Sequence, residues 1–323
     1  MTLFTQKSAS SILFLLITFL FSAASPALAQ NATPATNSEL IINVPSEVYN
    51  GQAFLLEVAA TDLEQVKIFW ADKNLQVTPQ PDNMGRMQAL ALLPVDLDSK
   101  KETKTLKLDI SIAGKQIKEN INIQVLKKKY PEQQLSVDPK FVELSKENLA
   151  RHQAERKIVN AVMAKRTPTR HWQLPMLRPV PGAISSLFGV QRMFNGVPRS
   201  SHKGLDLRAA EGDPIKACAD GTVVLAADHF FSGNVVYIDH GLGVFTVYCH
   251  MSKINVAEGD FVRAGDLVGL IGSTGRVTGP HLHLSAIVLS TSVDPDILLA
   301  QKQNNSQNGS SKNAKPNTPD TAN

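Results

Sequence analysis

The chain has 323 residues, 43% of them hydrophobic, and a formal net charge of +4. That length suits two modest domains with linkers, and the hydrophobic fraction suits a packed core. The charge is too small and too dispersed to argue for nucleic acid as a partner.

Residues 1–29 read as a secretory signal peptide. Lys7 supplies a thin basic n-region, Ile12 to Phe21 is the apolar core, and Ala27-Leu28-Ala29 precedes Gln30 as a small-residue cleavage site. The apolar run is shorter than the ~20 residues of a spanning helix. With no cysteine at its end, a lipid anchor is not expected. The expectation is an exported protein with no membrane span after signal cleavage, placed in the periplasm, with the extracellular space or wall surface as alternatives. Residues 30–38, rich in Asn, Thr, Ala and Pro, read as a flexible leader.

Residues 39–127 alternate in the manner of strands. The runs are Leu40–Val44, Ala53–Val58, Val66–Trp70, Met87–Leu93, Leu106–Ile110 and Ile121–Val125. Tyr49-Asn50-Gly51, Ala71 to Asn74, Asn83-Met84-Gly85 and Ala113-Gly114 supply turns between them. The pattern predicts a small immunoglobulin-like sandwich. It carries no cluster of ligand-type residues, so it reads as an accessory domain for positioning, interaction or regulation, its partners unknown. Lys127-Lys128-Lys129 closes it.

Residues 128–181 read as a helical and Pro-rich linker. Phe141 to Arg166 has near-helical apolar spacing, with Lys165-Arg166 at the end where cations suit the helix dipole. Pro175, Pro179 and Pro181 then predict an extended lead-in. Residues 182–300 are β-rich and punctuated by glycine. Residues 301–323 are rich in Asn, Ser, Lys and Pro and read as a disordered tail.

The chemistry gathers in the β-rich segment. His202-Lys203-Gly204-Leu205-Asp206, Tyr248-Cys249-His250 and Gly279-Pro280-His281-Leu282-His283 supply one carboxylate and four of the eight histidines. Pro280 disfavours a helix, and Leu282, Leu284 and Ile287 suit a strand, on which His281 and His283 point to one face. Gly204 argues for an extended or looped setting of His202 and Asp206. Zinc accepts imidazole nitrogen and carboxylate oxygen, and a catalytic site keeps three protein ligands and an open position. Five groups therefore suggest three ligands and two groups left for chemistry. His240, in Ile238-Asp239-His240-Gly241, is explained by a turn.

Further pieces surround these motifs: Ser185-Ser186-Leu187-Phe188-Gly189, Ala219-Asp220-Gly221-Thr222-Val223, Gly233 to Gly241, and Gly272-Ser273-Thr274-Gly275-Arg276 leading into the His281 strand. In this order and spacing, residues 182–296 resemble the LytM/lysostaphin-type zinc metallopeptidases, secreted enzymes that cut peptide bonds of bacterial cell walls. The resemblance implies a mainly β chain whose C-terminal domain has the duplicated-hybrid-motif (barrel-sandwich) fold. It implies one Zn2+ held by His202, Asp206 and His283, a catalytic pair His250 and His281, and peptidoglycan peptide as substrate. Cys249 departs from the small residue such proteins often carry there. Asn195, Asn234 and Arg276 are candidate substrate contacts, with turn or core roles as the alternative for each. The competing functions are a non-catalytic relative that activates other wall hydrolases, which typically lacks some of the five site residues, and a secreted peptidase acting on proteins. Two readings of Cys218 and Cys249 stand side by side: a disulfide, which an exported protein permits, and two buried small hydrophobes.

Overall fold

The computed structural model describes residues 12–17, 39–136, 143–194, 196–198 and 201–300. The expected flexible leader, the expected tail, most of the expected signal peptide and the candidate contact Asn195 lie outside the described residues. The chain is mainly β. Within the apolar leader run, Ile12–Ile17 is a strand paired antiparallel to Leu40–Pro45.

Two five-stranded sheets occupy the first part of the chain. One runs in the order Ile12–Ile17, Leu40–Pro45, Ala53–Ala60, Met87–Pro94, Gln80–Pro81. The other runs Glu47–Tyr49, Lys115–Leu126, Glu102–Ile112, Leu63–Trp70, Lys73–Val77. Alternation decides which side chains meet: Leu63, Val66, Ile68 and Trp70 are buried along one strand while Glu64, Lys67 and Phe69 face out. The two inner faces share one buried cluster that includes Leu56, Val58, Leu106 and Leu108. Trp70 Nε1 donates to the Pro94 carbonyl at 2.7 Å, tying one sheet to the other. Each of the six expected strand runs is a strand. At Ala113-Gly114 both residues have positive φ, 48° and 70°, the two-residue hairpin that matches the strand twist.

Two expectations need adjustment. The turn expected over Ala71 to Asn74 is tighter, with Ala71 at φ 51° and Lys73 already paired to Trp70. In the expected linker, Glu132–Leu135 is a strand lying parallel to Gln191–Phe194. Its glutamine-rich sequence has no apolar alternation, so the pairing rests on main-chain bonds that leave no mark in composition.

Helix α1 spans Lys146–Ala164, shorter than the run expected. Ser145 Oγ accepts from Asn148 N at 3.2 Å and starts it. Arg166 Nη1 donates to the Met163 carbonyl at 2.6 Å at its other end. Of its apolar residues Val162 is buried, whereas Leu149 and Ile158 are exposed. The helix lies on a sheet by a narrow stripe, and its second buried residue is Glu155, whose carboxylate accepts from Phe230 N at 3.0 Å.

The second half is a ten-stranded sheet. Its main path is Ile184–Ser186, Leu205–Arg208, His281–Val288, Val244–Ile254, Gly233–Asp239, Gly221–His229, Phe261–Val262. The Pro-rich segment before it is extended, as expected, and packed: Met176 N donates to Leu298 O at 2.7 Å, and Trp172, Met176 and Val180 join the core. Cys218 and Cys249 are both buried and free, and burial pushes each thiol up to about 12.

One buried polar chain crosses this core. Cys218 N donates to Tyr248 OH at 2.8 Å, and Tyr248 OH lies 2.9 Å from Thr246 Oγ1. Thr246 Oγ1 lies 2.7 Å from His240 Nε2, and His240 Nδ1 donates to Asp220 O at 2.6 Å. Both nitrogens of His240 are thus engaged, and burial lowers its pKa to about 4. Below an unfolded-state pKa of ~6.5 the unfolded chain takes up a proton that folded His240 refuses, so stability falls as pH drops. Urea unfolding at pH 7 and pH 5 should show wild type losing about 2 kcal/mol more than His240→Gln over that interval. Equal losses would assign the pH dependence elsewhere.

Candidate metal centre

The centre is built on one register. Leu205–Arg208 runs antiparallel to His281–Val288, with Asp206 opposite His283 and Arg208 opposite His281. Residues at i and i+2 share a face, so His281 and His283 project together, as expected. His202 enters from the irregular segment before Leu205, held by main-chain bonds between Gly189 N and His202 O and between His202 N and Val190 O, each 2.8 Å. Gly204 makes the approach possible: a Cβ there would stand 2.5 Å from His283 Nε2.

His202 Nε2, Asp206 Oδ1 and His283 Nδ1 converge in a triangle with edges of 2.9, 3.0 and 2.8 Å. The far nitrogens are also engaged. His202 Nδ1 donates to Leu187 O at 2.8 Å, and His283 Nε2 lies 3.0 Å from Ser285 Oγ. Burial lowers His202 to about 4, so this ring is neutral at neutral pH and forms no ion pair with Asp206. Burial would raise the Asp206 carboxyl, but the imidazoles of His202 and His283 outweigh it and hold the group ionised. Two imidazole nitrogens and one carboxylate oxygen thus lie within 3.0 Å of one another. The donor set and its second partners suit a metal ion.

The remaining two histidines flank the triangle. His281 Nδ1 donates to Gly279 O at 2.8 Å, and its Nε2 is 3.8 Å from Asp206 Oδ1. His250 reaches the same face by a β-bulge. Cys249 stands opposite His283, so simple alternation would turn His250 to the other face with Tyr248. The register between Gly233–Asp239 and Val244–Ile254 slips there, Val236 pairing with Tyr248 and Asn234 with Met251. His250 takes φ 65° and swings its ring to 5.2 Å from that of His281 and 5.9 Å from that of His283. Its Nδ1 donates to Thr274 O at 2.8 Å, and burial, with His283 and His281 nearby, lowers it to about 3.

Of the candidate contacts, Asn234 spends its amide on the Met251 carbonyl at 3.0 Å, which secures the bulge. Arg276 stacks over Phe231 at 4.5 Å and lines cavities on both sides of the centre. Residues not anticipated are Ser186, Arg192 and Gln133. Arg192 donates to Asp206 Oδ2 and to Ser186 Oγ, occupying the oxygen that faces away from the triangle. Gln133 comes from the unexpected strand and accepts from Ser186 Oγ at 3.2 Å, beside a cavity of about 290 Å3 that also touches Asp206, His250 and His281.

Residues 200–295 match the model of Peptidase family M23. The chain is 44% identical over 106 residues to the peptidoglycan DD-endopeptidase ShyA of Vibrio cholerae, covering 32% of this chain and 25% of the relative. It is 45% identical over 94 residues to the DD-carboxypeptidase/endopeptidase Mpg of Neisseria meningitidis, covering 29% and 22%. The match thus spans a quarter or less of these relatives' own length. A crystal structure described as a peptidase M23 from Pseudomonas aeruginosa aligns with a TM-score of 0.59 and 29% identity over 78% of this chain and 94% of that one. Residues 200–295 are a LytM-type domain of Peptidase family M23.

Proposed function

We propose that the chain is an exported zinc-dependent endopeptidase that hydrolyses peptide bonds of bacterial peptidoglycan. The observation that carries this reading is the triangle of His202, Asp206 and His283 with two further imidazoles on the same face. The names of the matched relatives, a peptidoglycan DD-endopeptidase and a DD-carboxypeptidase/endopeptidase, support the substrate. Among the described residues no helix is long and apolar enough to cross a membrane. A non-catalytic binding role leaves the retention of all five groups unexplained.

His202, Asp206 and His283 would hold the ion, and zinc when bound supplies Lewis-acid polarisation of a carbonyl and an acidified water. The rest falls to the protein. His281 Nδ1 is committed to the Gly279 carbonyl, so Nε2 is left as the acceptor, close to the ligand cluster but beyond direct hydrogen bonding to it. That is the position for taking a proton from the attacking water and returning it to the leaving amine. His250 likewise presents Nε2 because Nδ1 is bound to Thr274 O. Its deep burial disfavours the imidazolium, which makes it the weaker proton store and suits it to orienting the water or substrate. Arg192 keeps Asp206 turned with Oδ1 inward.

Purified peptidoglycan incubated with the protein should release new peptide termini, read by mass spectrometry, and a chelator should stop the release. His281→Ala should lower the rate by about 10²–10⁴-fold while metal content stays at the wild-type level. Asp206→Asn should instead lose metal, because a neutral amide replaces the one anionic ligand. Release that survives the chelator, or full activity in His281→Ala, would refute the reading.

A further inference from the structure

Helix α1 lies outside the matched residues 200–295, and none of the five site groups is on it. It nevertheless walls a cavity of about 290 Å3 that His250 and His283 border at one end. The floor follows from the register. His283, Ser285 and Ile287 alternate onto one face of their strand, and Cys249 and Val247 stand opposite His283 and Ser285 on the next. The face that carries His283 thus continues through Ser285 and Ile287 beside Cys249 and Val247, and Arg192 and Arg276 also line the cavity. Val159 and Met163, one turn apart on α1, close the cavity from above.

The helix is pinned at both ends of this span. Arg151 Nη2 bonds Asp228 Oδ2 at 3.0 Å, and the Glu155 carboxylate accepts from Phe230 N. At the other end Val162 packs with Val235, Tyr237 and Phe245, and Ser290 Oγ donates to the Met163 carbonyl at 3.1 Å. A helix acting as a plug would fill the cavity with side chains. Here Val159 and Met163 pack at the edge of the cluster that holds Val247, Cys249 and Ile287, and the cavity they line with these residues also reaches His250 and His283.

We propose that this cavity is a side-chain subsite of the peptidase centre. It takes an apolar side chain, from alanine to leucine in size, from a residue beside the cleaved bond, and Val159 and Met163 set its depth. The proposal rests on the peptide-hydrolase reading above. A cationic side chain is disfavoured because Arg192 and Arg276 line the same cavity. Val159 and Met163 are therefore specificity residues, supplied by an element outside the family domain.

The test uses synthetic stem-type peptides that differ only in Gly, Ala, Val or Leu on either side of the cleaved bond. Full-length wild type, Met163→Ala, Met163→Trp and Val159→Ala are compared. Met163→Trp should cut kcat/KM about tenfold or more for Val and Leu peptides and spare Gly peptides. Met163→Ala and Val159→Ala should shift preference toward Leu. Calorimetry on the same peptides with the Met163 and Val159 changes placed in a His281→Ala background gives a readout independent of turnover. Size-selective binding without any hydrolysis in wild type would overturn the peptidase reading and leave the subsite standing. Binding and turnover that change by one common factor for every peptide, or not at all, would overturn the subsite, the first outcome marking α1 as a cover.

Discussion

Everything at this centre depends on one cross-strand pair. Asp206 and His283 face each other across an antiparallel ladder, and their oxygen and nitrogen meet at 2.8 Å. The pair sets an ionised carboxylate against an imidazole nitrogen, and His202 adds a second nitrogen. Such an arrangement is held by its surroundings: Leu187 O and Ser285 Oγ engage the far nitrogens, Arg192 takes the outer oxygen, and Gly204 leaves room for the ring of His283. Two imidazole nitrogens and a carboxylate oxygen converging in this way are a donor set that suits a cation.

The bulge at His250 is the second constraint. A regular strand would send His250 into the core beside Tyr248. One extra residue and a positive φ bring it to the groove, and Asn234 secures the slip through the Met251 carbonyl. A non-glycine residue held in this backbone region stores strain that the flanking sheet must offset. The reverse face of the same strand is tied by the Tyr248, Thr246 and His240 chain, so one face of Val244–Ile254 borders the centre and the other is locked into the core.

Much of this was legible in the sequence because strand period is strict. The spacing of His281 and His283 places both on one face, and Gly204 argues against a helix between His202 and Asp206. The six strand runs of the first part announce themselves by alternation. What could not be read depends on contacts between distant segments. Arg192 and Gln133 reach the centre through a pairing of Glu132–Leu135 with Gln191–Phe194 that has no apolar signature. Helix α1 is visible as a helix, but its seat over the metal face is set by Arg151, Glu155 and Val162 meeting residues far along the chain. The run expected over Phe141 to Arg166 overshoots α1 because Ser145 caps the helix at its start and Lys165 already has extended backbone angles. The two thiols were undecided between a bridge and burial, and the structure has both buried and free.

The most direct test of the account is the metal stoichiometry of the purified full-length protein, measured by elemental analysis after exhaustive buffer exchange. The convergence of His202, Asp206 and His283 predicts one zinc ion per chain in wild type and its loss in His283→Ala, with His250→Ala still loaded. Zinc absent from a folded wild type supplied with the ion, or retained unchanged in folded His283→Ala, would contradict it.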